Sequence, residues 1–353
     1  MLEKPSGLQI LFLSKNMQSY KAAYYQQEII EEIASRRNVF FYGPGYPDFD
    51  PSDSISDVLA KAPLDVNCIL TGHSWLSEVT GNPISPQVDL AMTDLPKFGI
   101  LNKEYTQVAQ KLDYFVRKGF AKIFSHHPQL EAIADIRNMP YAHIPFGFAE
   151  RKLFRGSESR IFDLTFTGIM QNQGAKSIQS DIRLRIMRRL FFCLGDLPIA
   201  KRRAISDKNI FWRGLPRKTR HEKIYTYRAL KTIFAKYGYK HLPEKEYFLL
   251  LAQSKLVLCT DSPLGLVSPR VYEAMASGSV VFCENSKSFK SLPSDCVIKF
   301  ESNLSDFQQK LSWCLDNDAV REEIATRGRE LALRECEWRV RVDVILKEIS
   351  QRL

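Results

Sequence analysis

The stretch Leu256–Phe282, LVLCTDSPLGLVSPRVYEAMASGSVVF, sets an arginine in the first turn of a short helix between two apolar strands. Ser268 stands where an N-cap belongs, Pro269 suits the first helical position and Gly278 suits the stop, which predicts a helix over 269–277. The partial positive charge of a helix start disfavours Arg270 there by ~0.3–1 kcal/mol. A bound anion reverses that sign, because backbone amides, dipole and guanidinium fork then converge on one phosphate. Glu273, one turn on, is placed to accept hydrogen bonds from ribose hydroxyls, a use acidic residues have in other nucleotide sites. The plainer alternative is an i,i+3 pair between Arg270 and Glu273 on an ordinary crossover helix. Gly168 and Gly174, on either side of IMQNQ, form a second phosphate-facing candidate that lacks GxGxxG spacing.

Transfer chemistry also needs a group that takes a proton. His73 follows the third apolar run of the chain in CILTGHSWL, and Asp94 follows the expected fourth in LAMTDLPKFG. Either can accept a proton from a hydroxyl, His73 being nearer the working pH without tuning. The alternatives are a loop or capping histidine and a turn residue ahead of Pro96. His126 and His127 in FSHHPQ read as a helix entry, with no third ligand nearby for a metal. Asp48 and Asp50 of DFD read as turn chemistry, so no metal site is expected.

The elements that must position these groups are of one kind. Apolar runs at 8–13, 38–42, 66–70, 88–92, 121–125 and 141–146 alternate with helical stretches such as YYQQEIIEEIAS, where Tyr25, Ile29, Ile30 and Ile33 recur at helical spacing. Such alternation predicts a parallel sheet wound on both faces, one Rossmann-like domain over residues 1–150. A polar segment over 145–160 reads as a linker, and FDLTFTG opens a second domain over 151–336. Residues 337–353 read as a terminal helix that packs back on the first domain. The expected class is α/β, two doubly wound domains facing across a cleft, with ligands beyond the carboxyl ends of the strands.

Several motifs carry a resemblance. SPRVYEAMASGSVVF, preceded by LLLAQSKLVLC, resembles the donor-binding motif of GT-B glycosyltransferases, above all the exostosin-type and spore-maturation (CgeB-like) groups. AHIPFGFAERKLF is similar to the segment that begins the interdomain linker of that fold. FDLTFTG resembles the first strand and phosphate-side glycine of its nucleotide-binding domain, and WRVRVDVIL resembles its terminal helix. The resemblance implies that Glu273 holds the ribose and that Ser268, Arg270 and Gly168 face the diphosphate. It also implies a nucleotide-sugar co-substrate, UDP- or GDP-linked, with no cofactor and no essential metal. Many retaining members carry a further Glu eight residues before the ribose-binding one. Here that position is Gly265, which leaves the stereochemical outcome open.

Composition bounds the alternatives. At 353 residues, with 44% hydrophobic and 25% charged, the chain is long enough for two globular domains. No apolar run reaches a membrane span, and LQILFL reads as a first strand, not a signal peptide. Seven cysteines without a CxxC pair suggest a reduced cytoplasm. The net charge of +10 is concentrated: residues 183–240 hold 17 Lys/Arg against 3 Asp/Glu. Together with Trp212, Arg213 and an amphipathic helix over 222–237, that surplus suits peripheral contact with an anionic membrane and a lipid-linked or glycan acceptor, or else plain packing. Nucleic acid is not the expected partner. A nucleotide-sugar epimerase on the same scaffold and a non-catalytic polyanion or membrane binder are the competing functions. The first lacks a clear acid/base pair, and the second predicts binding that falls steeply with salt.

Overall fold

The computed structural model describes residues 7–19, 24–36, 38–101, 106–130, 138–156, 159–169, 182–187, 189–190, 210–215, 242–262 and 265–353. Gly174, the helix expected over 222–237, Cys193 and most of the basic stretch 183–240 lie outside these residues, as do the side chains of Trp212 and Arg213. The chain divides into two compact units, Met1–Phe148 with Cys336–Leu353, and Ala149–Glu335.

In the first unit, short apolar runs become β1 (Ile10–Leu13), β2 (Val39–Tyr42), β3 (Cys68–Thr71), β4 (Lys97–Ile100), β5 (Lys122–Ser125) and β6 (Tyr141–His143). Helices α1 (Tyr24–Ala34), α2 (Ile55–Lys61) and α3 (Val108–Arg117) alternate with them. The strands form one sheet in the order β2-β1-β3-β4-β5-β6, every described pairing parallel. β1, β3, β4 and β5 are buried along their whole length, as a sheet covered on both faces requires. The winding reverses between β1 and β3, and this is the switch point at which such sheets bind ligands.

One expectation fails here. The run at 88–92 is not a strand: Asp89 Oδ1 accepts from Ala91 N at 2.9 Å and closes a 3-10 turn over Leu90–Met92. The fourth strand is Lys97–Ile100, which opens on a buried lysine whose Nζ donates to Thr93 O at 2.7 Å.

The second unit repeats the plan with β7 (Phe162–Ile169), α4 (Ile182–Met187), β8 (Ile210–Leu215), α5 (Glu244–Ala252), β9 (Ser254–Cys259), α6 (Pro269–Ala276), β10 (Val280–Glu284), β11 (Val297–Phe300), α7 (Phe307–Asp316) and α8 (Asp318–Glu335). Its parallel sheet runs β11-β10-β9-β7-β8, with the reversal between β7 and β9. Phe166, Leu256, Leu258, Phe282 and Phe300 project into one core that the aromatic ring of Phe307 completes.

The last helix, α9 (Trp338–Ser350), lies with the first unit and packs on α1. Trp338 is fully buried, and its Nε1 donates to Glu28 Oε2 at 2.6 Å. Arg36 adds an ion pair to Asp343 at 3.1 Å, and Lys122 another to Glu348. Among the described residues no helix is long and apolar enough to cross a membrane.

Candidate functional site

At the reversal of the second sheet, α6 begins where the sequence placed it. Ser268 has N-cap backbone geometry, Pro269 is the first helical residue, and Val271 N bonds Ser268 O at 3.1 Å. The Ser268 hydroxyl does not itself cap the helix. Gly278, at φ +74°, supplies the left-handed stop. Arg270 projects back over the end of β7, its guanidinium carbon 6.0 Å from the Phe166 ring centroid. A Cβ on Gly168 would lie 3.3 Å from both Nη1 and Nη2 of Arg270, so the missing side chain at 168 is what lets the guanidinium settle on the strand. Gly168 and Arg270, a hundred residues apart in the sequence, thus share one patch at the switch point.

Glu273, one turn further along α6, is fully buried. Its Oε2 accepts from Tyr247 Oη at 2.6 Å, which ties α5 to α6. Burial, and then the Glu273 carboxylate beside it, holds the Tyr247 hydroxyl well above the ordinary tyrosine range, so it remains a donor.

The loop after β9 is anchored by groups that sequence reasoning passed over. Glu284, at the end of β10, accepts from Asp261 N, and Ser288 Oγ donates to Asp261 Oδ1 at 2.6 Å. Burial raises the Glu284 carboxyl above its usual range. Arg183 Nε donates to Thr260 Oγ1 at 2.7 Å. Both acidic residues stand at strand ends, the only local sign that marked them.

In the first unit, His73 stands two residues after β3, beside β1 at the switch point. It is buried, and its Nε2 lies 2.6 Å from Nε2 of His126, the residue after β5. His126 Nδ1 in turn meets the Ile144 carbonyl at 2.6 Å. Phe146 stacks on His126 with centroids 4.0 Å apart, and Tyr25 stands perpendicular to both imidazoles. Burial, then proximity to His126, pushes His73 well below the ordinary histidine pKa, so the ring stays neutral.

Residues 214–347 match the model of a glycosyl transferase-like family. Among solved structures, the chain is similar to the sucrose-phosphate synthase of Thermosynechococcus elongatus (10% identity, 98% of each chain covered, TM-score 0.56). It is similar to Anabaena HepE in complex with UDP (12% identity, 98% of this chain and 100% of that one, TM-score 0.57). It is similar also to the N-terminal domain of Candida albicans trehalose-6-phosphate phosphatase (11% identity, 99% and 98% covered, TM-score 0.61). The chain has the GT-B fold of glycosyltransferases. No curated protein matches it.

On this GT-B frame the expected residues fall out unevenly. Gly168, Ser268, Arg270 and Glu273 gather at the carboxyl end of the second sheet. His73 stands at the carboxyl end of the first, whereas Asp94 does not. Because β4 starts at Lys97, Asp94 precedes the strand and sits at the amino end of the sheet, opposite His73. His126, expected to be a helix entry, is instead the hydrogen-bond partner of His73. His127 does keep the turn role, its Nδ1 accepting from Gln129 N at 3.0 Å. Gly265 has φ +71°, a left-handed conformation in which a glutamate is strained by roughly 1–2 kcal/mol. The backbone at this position therefore disfavours the second acidic residue of many retaining GT-B enzymes, which the sequence also lacks. Asp50 of the DFD stretch accepts from Ser52 N at 2.8 Å and serves a turn.

Proposed function

We propose that this chain transfers a sugar from a nucleoside-diphosphate sugar, UDP- or GDP-linked, to a hydroxyl of a glycan or lipid-linked acceptor. The observation that carries the reading is the Arg270 guanidinium lying on Gly168 at the start of α6, with Glu273 one turn on. In this reading the α6 N-terminus, the bare backbone of Gly168 and the guanidinium of Arg270 would all serve one phosphate. HepE solved with UDP, on the same fold, favours a uridine donor.

In this reading Glu273 accepts from the ribose hydroxyls and Arg270 faces the diphosphate. As the bond between the anomeric carbon and the diphosphate oxygen breaks, its electron pair stays on that oxygen, where Arg270 and the α6 dipole stabilise it. The acceptor oxygen forms the new bond to the anomeric carbon, and its proton passes to His73. A neutral buried imidazole suits that task. Asp94, at the opposite end of its sheet, has no part. The basic stretch 183–240 would hold the protein to an anionic membrane surface that carries the acceptor.

A thermal-shift panel of UDP, GDP, dTDP and CMP with their sugars, repeated on Arg270→Ala and Glu273→Ala, tests the donor assignment. Saturable stabilisation of the wild type by one nucleotide, lost in both variants, is expected. The reading fails if no nucleotide stabilises the wild type, or if both variants respond as it does.

A further inference from the structure

We propose that His126 is a positioning residue for the reaction: it fixes His73 in the tautomer that leaves Nδ1 as the bare, proton-accepting nitrogen. The inference rests on the transferase reading above, in which His73 takes the acceptor's proton.

The tautomers follow from the partners at each end of the chain of bonds. The Ile144 carbonyl can only accept, so His126 Nδ1 carries a proton and donates it across 2.6 Å. His126 is itself about 95% buried, which disfavours a second, charging proton on the ring, so its Nε2 presents a lone pair. The N–H in the 2.6 Å contact between the two rings must therefore belong to His73 Nε2. That leaves the lone pair of His73 on Nδ1, and among the described residues His126 is the only hydrogen-bond partner of the ring. Ring orientation agrees. The centroids are 4.9 Å apart, almost twice the N···N distance, and the planes differ by 16°. Two imidazoles meeting end to end in nearly one plane have this geometry, whereas face-stacked rings do not.

Packing holds the arrangement. Phe146 covers one face of His126, the Trp338 ring approaches at 6.0 Å, and Tyr25 stands edge-on to both imidazoles. Both histidines are about 95% buried, so water does not compete for the N–H···N bond. A His126 that merely filled space would need neither the carbonyl contact nor the coplanar meeting of rings.

Two substitutions separate positioning from packing. His126→Gln keeps an acceptor for His73 Nε2–H and a donor for the Ile144 carbonyl, but loses the stacked ring. His126→Phe keeps the stacked ring and loses both polar functions. Turnover is followed as nucleoside diphosphate released, with water as acceptor, from the UDP- or GDP-sugar that stabilises the wild type most, and the tautomers are read from long-range 15N–1H spectra of histidine-labelled full-length protein. The expected result is a kcat roughly 10–100-fold lower in His126→Phe, within the reach of a general base. His126→Gln should stay within about fivefold of wild type, with donor KM unchanged in both. His73 should be protonated at Nε2 and His126 at Nδ1. A His126→Phe variant as fast as wild type, or His73 protonated at Nδ1, overturns the role of His126 alone. A wild type that neither binds nor turns over any UDP- or GDP-sugar overturns the transferase reading and, with it, the catalytic role of His126.

Discussion

Glu273→Gln separates a ribose-binding carboxylate from one that only ties α5 to α6. The side chain is fully buried and accepts from Tyr247 Oη at 2.6 Å. Glutamine is nearly isosteric and still offers that hydroxyl an oxygen, and it removes a buried charge. Stability should therefore change by less than ~1.5 kcal/mol, a melting shift of a few degrees. Binding should change more. A hydrogen bond to a charged acceptor contributes about 1.5–3 kcal/mol and a neutral one about 0.5–1.5 kcal/mol. With two ribose hydroxyls on one carboxylate, the deficit is ~2 kcal/mol, or roughly a 30-fold rise in Kd for the nucleoside diphosphate. Isothermal titration gives Kd, and thermal denaturation of the same samples gives stability. A Glu273 that only ties α5 to α6 leaves Kd unchanged, because glutamine keeps that tie. A Kd within twofold of wild type would refute the ribose assignment.

Other consequences are as direct. Gly168→Ala places a Cβ 3.3 Å from both terminal nitrogens of Arg270 and displaces the guanidinium. Diphosphate affinity by titration should fall several-fold, while the melting temperature stays close to wild type. His73, neutral in the fold, does not take up the proton that an unfolded-chain histidine binds near pH 6.5. The unfolded state then binds more protons, so stability falls as pH drops below about 6.5, by up to ~1.4 kcal/mol per pH unit, until the depressed folded pKa is reached. Urea titrations across pH 5–8 should show a shallower slope for His73→Gln. Trp338→Phe withdraws the Nε1 donor from the buried Glu28 and should cost about 1–3 kcal/mol in urea denaturation.

What could be read from the residues alone follows from how local each signal is. The ends of α6 were legible because Pro269 and Gly278 act within their own few residues. Apolar runs such as ILFL and CILT announced buried parallel strands for the same reason. β4 hid itself: it opens on Lys97, a buried lysine whose ammonium bonds Thr93 O, and it contains Gly99. The nearby VDLAM looked more like a strand, and that mistake put Asp94 at the wrong end of the sheet. The partners of the candidate residues were not legible at all. His126 reaches His73, and Tyr247 reaches Glu273, across stretches of chain that only the sheet order brings together. Gly168 carried a weak signal as a loop glycine, and its contact with Arg270 was not legible.

The central claim is that a nucleoside-diphosphate sugar sits at the start of α6. The most direct test is a crystal structure of the full chain with the nucleoside diphosphate that stabilises it most. The account predicts phosphate oxygens within hydrogen-bonding distance of the Arg270 guanidinium and of the backbone at Gly168, with the ribose hydroxyls on Glu273. A nucleotide bound elsewhere in the second unit, with Arg270 still lying on Gly168 and no phosphate against it, would contradict it.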